Sequence, residues 1–169
     1  MSQPPFPDTA QTLLIEGPAG ALEVAVDFPA PDAALPLLAV VCHPLPTEGG
    51  TMHNKVVTTA ARALRGLGAT TVRFNFRGTG ASAGTFDDGR GERDDLRAVV
   101  DWAQDARPRD RLWLAGFSFG AYVSLAAATE LMADAVISIA PPASGRGWDF
   151  SAIQVPDVPW LVVQGDADE

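Results

Sequence analysis

A chain of 169 residues is one domain's worth, and 47% hydrophobic with 20% charged residues is too apolar a composition for a disordered protein. A net charge of −9, with Lys55 the single lysine and no basic run, argues against a nucleic-acid or anionic-membrane partner. One cysteine, Cys42, leaves no intrachain disulfide framework and points to a reducing compartment. No basic-then-apolar leader pattern is read at the start, and no apolar run approaches the roughly 18 residues that span a bilayer. The expectation is a cytoplasmic domain.

Residues 1–11, rich in proline, are expected to form a loose tail, with a single domain over 12–169. Apolar residues 12–16 and alternating residues 21–28 flank the turn signal Gly17-Pro18-Ala19-Gly20, which predicts an antiparallel hairpin. Residues 29–36 read as loop. Residues 37–42 are continuously apolar, as in a strand covered on both faces. A polar loop over 43–53 follows. Thr51 or Asn54 then caps a helix carrying Val56, Ala60, Leu64 and Leu67, which Gly66 and Gly68 stop.

Residues 70–76 predict a strand and 77–91 a glycine-rich loop. The next helix has Leu96, Val99, Val100 and Ala103 on one face, and acidic residues in its first turns where the helix dipole favours them. Residues 112–116 read as a strand and 119–131 as a helix apolar almost all round, hence buried. Strands over 135–140 and 160–164 flank a loop over 141–159. A hairpin followed by alternating strands and helices is an α/β fold: a mostly parallel twisted sheet with an N-terminal antiparallel hairpin and helices on both faces.

Gly116-Phe117-Ser118-Phe119-Gly120 fits G-x-S-x-G between a strand and a buried helix. There a sharp turn exposes the Ser118 side chain, the two glycines let neighbouring backbones pass closely, and the Phe119 N–H points from a helix N-terminus toward a developing oxyanion.

With Val41-Cys42-His43-Pro44, Asn75-Phe76-Arg77-Gly78, Gly80, Ser82 and Gln164-Gly165-Asp166-Ala167-Asp168, the chain resembles the α/β-hydrolase superfamily. The likeness is to its small, lidless, dienelactone-hydrolase-like bacterial members. That resemblance implies a serine hydrolase of carboxylic esters or related small acyl compounds, with Ser118 as nucleophile and no metal or organic cofactor. It implies Asp168 as the acid, with Asp166 the alternative. It also implies a second oxyanion N–H from the loop after the third strand. Pro44 and Pro46 have none, which leaves Leu45.

In the family the histidine follows the acid after one further strand. The two histidines here, His43 and His53, both precede Ser118. The reading is therefore of a fold lacking its last strand and helix, truncated by roughly 30–50 residues on average element lengths. Such a chain is inactive as given. His43 and His53 remain candidates to line the site, His43 chiefly as a structural hydrogen-bonder and His53 as a substitute base.

The alternative function is a non-catalytic α/β-hydrolase-like domain that binds a ligand or partner. The segment Gly78-Thr79-Gly80-Ala81-Ser82-Ala83-Gly84 departs from the dinucleotide fingerprint in spacing, with no helix opening on it. Arg77 is expected to pair with a nearby carboxylate, and Glu48 and Lys55 to be solvated loop charges. The loop over 141–159 is too short for a helical cap, which favours small or exposed acyl groups.

Overall fold

The described residues form seven strands and three α-helices: β1 (Gln11–Gly17), β2 (Gly20–Asp27), β3 (Leu37–Cys42), α1 (Lys55–Gly66), β4 (Thr70–Phe74), α2 (Arg90–Ala106), β5 (Arg111–Phe117), α3 (Phe119–Ala128), β6 (Ala135–Ile139) and β7 (Trp160–Val163). The structure is a computed structural model that describes residues 2–142 and 147–165. One sheet runs in the order β1-β2-β4-β3-β5-β6-β7. The hairpin closes from Gln11↔Val26 to Gly17↔Gly20, and β2 adds antiparallel to β4. From β4 to β7 the sheet is parallel, so the chain leaves β3, β4, β5, β6 and β7 at one common edge.

β3 is buried along its whole length because the sheet is covered on both faces. Leu37, Ala39 and Val41 meet Val57, Ala61 and Leu64 of α1 on one side. Leu38, Val40 and Cys42 join the larger core with the Leu96, Val99, Val100 and Ala103 stripe of α2 and with Phe119 and Val123 of α3 on the other. Asn54 caps α1: its Oδ1 accepts from the N–H groups of Val56 (2.9 Å) and Val57 (3.3 Å). Glu92 caps α2, accepting from the N–H groups of Asp87 and Gly89. Burial pushes its carboxyl pKa up against those bonds. No helix of the described residues is long and apolar enough to cross a membrane.

Three expectations change. The tail is docked rather than loose over residues 3–6. The Trp102 indole N–H donates to Pro4 O (2.8 Å), Phe6 packs against Trp102 and Phe28, and the Gln3 amide pairs with the Glu16 backbone. β4 ends at Phe74, two residues early, because Asn75 and Phe76 turn their N–H groups to Glu23 O and to the His43 ring. α3 ends at Ala128 rather than at residue 131. Met132 takes φ +56° there and Ala133 N–H reaches back to Ala128 O, a left-handed termination without glycine. Among the described residues β7 pairs on the sheet only with β6, and all four of its residues are exposed.

Candidate active site

A single residue, Ser118, separates β5 from α3. Its backbone lies at φ 54° and ψ −116°, a conformation that costs a non-glycine residue about 1–3 kcal/mol and persists only where the surroundings impose it. Those surroundings are visible. Ser118 N–H donates to Ile139 O of β6 (2.9 Å), and Ser118 O accepts from Ala121 N–H (2.9 Å). A Cβ on Gly116 would stand 2.1 Å from Gly120 O, and a Cβ on Gly120 2.3 Å from Cys42 O. The glycines thus let the start of α3 lie against its own strand and against the end of β3 at once. Neither takes a positive φ; the strain falls on the serine. Phe119 is the first residue of α3, so its N–H has no intrahelical acceptor and sits at the positive end of the dipole.

The loop after β3 supplies the facing wall. Leu45 O accepts from Glu48 N–H (3.1 Å) and Gly50 N–H (3.0 Å), which curls 46–48 into a short 3₁₀ turn. Leu45 and Ser118 line one cavity of about 220 Å³, together with Pro44, Glu48, Gly49, Gly50, Asn54 and Phe117. The structure thereby brings Leu45 and the elbow together.

Neither histidine lines that cavity. His43 is fully buried, with both ring nitrogens engaged: Nδ1–H donates to Pro44 O (2.6 Å) and Nε2 accepts from Phe76 N–H (3.0 Å). Burial lowers its pKa to about 4, so the ring is neutral near pH 7. His53 is exposed. The loop turns its neighbour Met52 inward, where Met52 N–H donates to Asn75 Oδ1 and Met52 O accepts from Arg73, and His53 is left facing outward. Asp166 and Asp168 lie outside the described residues. β7 itself ends at the same sheet edge as Ser118.

Sequence reasoning missed how the glycine-rich loop is held. Glu23 of β2 accepts from Ala81 N–H and from Asn75 Nδ2. Ser82 Oγ accepts from Glu23 N–H and donates to Asn75 O. Arg77, as expected, pairs with a carboxylate, that of buried Asp95 at 2.9 Å, and it also donates to Gly91 O. Arg77 and Ser82 of that loop are thus engaged by the fold itself.

The sequence pattern of the X-Pro dipeptidyl-peptidase (S15) family matches residues 21–168. The chain belongs to this family of α/β hydrolases. It is 65% identical to an α/β serine hydrolase without lid from Xanthomonas campestris, with a TM-score of 0.93 over 98% of this chain and 75% of that one. An α/β serine hydrolase homologue from Coxiella burnetii is 48% identical, with a TM-score of 0.91 over 97% of this chain and 77% of its own. An uncharacterized protein of Rickettsia prowazekii (strain Madrid E) is 39% identical over 134 residues, 78% of this chain. The S15-family chain described here spans 56% of the length of that curated relative.

Proposed function

We propose that this α/β hydrolase cleaves carboxylic esters or related small acyl compounds through an acyl-enzyme on Ser118. The observation that carries the reading is the positive-φ serine sharing one cavity with the Leu45 peptide. Ser118 Oγ attacks the acyl carbonyl while its proton passes to a base. The carbonyl oxygen becomes an oxyanion held by the N–H groups of Phe119 and Leu45. The tetrahedral intermediate collapses, expelling an alcohol that takes up that proton, and water then releases the acid by the same route. The base in this reading is a histidine oriented by Asp168, with Asp166 the alternative.

Neither His43 nor His53 lines the Ser118 cavity, so these residues alone are expected to turn over slowly. Loss of a triad histidine costs about six orders of magnitude in a comparable hydrolase, with about 10³–10⁴ over water surviving. Residues 147–159 carry only one short 3₁₀ turn beside the site edge. A segment without a longer helix to serve as a cap favours small acyl groups over long ones. The peptidase activity in the family's name asks more of the base, because a leaving amine must be protonated; esters are therefore placed first. Buried Cys42, the single thiol, fits a cytoplasmic setting.

The same placement of the histidines favours a second reading, a domain that binds acyl ligands without turning them over. A fluorophosphonate probe separates the two. Covalent labelling of the wild-type chain, lost in Ser118→Ala, supports the hydrolase. A chain supplied with the base histidine that takes no label while binding a short-chain ester supports the binding domain.

A further inference from the structure

We infer that His43 is a positioning residue that aims the Leu45 N–H at the Ser118 cavity by gripping the opposite end of the same peptide group. The inference rests on the proposed role of that N–H. The Pro44–Leu45 peptide is trans, as are the other peptide bonds of the described residues. In a planar trans peptide the C=O and the following N–H point in opposite directions. Whatever fixes Pro44 O therefore fixes the direction of Leu45 N–H.

His43 fixes it. Its Nδ1–H donates to Pro44 O at 2.6 Å. The proton can sit only there, because Phe76 N–H donates to Nε2 at 3.0 Å and a protonated Nε2 would face a donor with a donor. The backbone after β4 thus selects the tautomer, and the tautomer directs the peptide after β3. The ring has no room to turn away: it is fully buried, with the Phe76 ring 4.7 Å from it at a steep angle. Burial holds its pKa near 4, so the neutral form persists through the working range. Gly50 closes the other side, where a Cβ would stand 2.2 Å from Pro44 O. Direct catalysis by His43 does not fit this arrangement, since both nitrogens are occupied away from the cavity.

Two substitutions separate aiming from mere packing. His43→Asn can place an N–H where Nδ1 was; His43→Gln places its amide where Nε2 was and leaves Pro44 O ungripped. Fluorophosphonate labelling of Ser118, per folded molecule, is expected to slow about 10–100-fold in His43→Gln, short of losing an oxyanion donor outright, and to recover most of that rate in His43→Asn. In ¹⁵N spectra the wild-type ring is expected as the Nδ1–H tautomer, and the Leu45 amide resonance is expected to move in His43→Gln but stay in His43→Asn. Equal labelling rates in the two variants overturn the inference. So does an Nε2–H tautomer in the wild-type protein, a measurement that needs no variant to fold. A chain supplied with the base histidine that takes no label at all sinks the proposed function instead, and the tautomer and the Leu45 resonance then judge the clamp alone.

Discussion

Two glycine-rich turns stand at the same edge of the sheet, and they use glycine in opposite ways. In the elbow, Gly116 and Gly120 keep ordinary backbone angles and provide only space, while the serine between them takes the positive φ. In the loop after β4, Gly78, Gly80 and Gly84 themselves take positive φ, and no other residue from 77 to 84 does. The polar groups differ in the same sense. Glu23, Asn75, Ser82 and Asp95 engage the second loop, whereas the Phe119 N–H at the elbow has no intrahelical acceptor. Glycine content therefore says little about function. The destination of each backbone N–H says more, and it separates a turn that holds itself together from one that, in the proposed function, offers donors to a ligand.

The comparison breaks most visibly at Arg77. Arg77→Leu strands the fully buried Asp95 carboxylate, which is expected to cost about 3–5 kcal/mol of unfolding free energy in urea. Ser118 labelling per folded molecule is expected to stay at the wild-type rate. A selective fall in that rate would move the second loop into the site. The elbow side is expected to behave conversely. Leu45→Pro removes one N–H and is expected to slow labelling by about 10²–10³, whereas Leu45→Ala leaves the backbone donor and changes the rate little. Equal losses from both would mean that the loop acts through side-chain packing.

The His43 ring joins the loop after β3 to the start of the loop after β4, and acid reads that junction. Its folded pKa near 4 lies below the ordinary 6.5, so the unfolded chain takes up a proton that the folded ring refuses. The stability contributed by the neutral ring is present above pH 6.5 and lost as pH falls toward 4, by about 3 kcal/mol in all. Glu92, whose carboxyl is pushed up, works in the opposite direction as pH falls. The measurement is therefore the difference in urea stability between wild type and His43→Asn across that window. A difference that does not change with pH would remove the buried neutral imidazole from the account.

Much of this arrangement is local and was legible in the chain. Continuous apolarity over 37–42 marks a strand with both faces covered, and Asn54 ahead of an apolar stripe marks a helix start. Two glycines around a serine between strand and helix mark a close approach. What stayed hidden depends on partners distant in sequence. The docking of Phe6 needs Trp102 and Phe28 in place. β4 stops at Phe74 only because Glu23 and His43 await the next two N–H groups. His53 faces outward because Met52, beside it, is drawn to Asn75 and Arg73. No periodicity encodes such contacts.

The central claim is that two N–H groups from different strand ends converge on one oxygen beside Ser118. The direct measurement is a crystal structure of the phosphonylated protein. The phosphorus is expected on Ser118 Oγ and the phosphonyl oxygen about 2.7–3.1 Å from both Leu45 N and Phe119 N. A phosphonyl oxygen turned to solvent, or one that meets Phe119 N while Leu45 N points elsewhere, would contradict it.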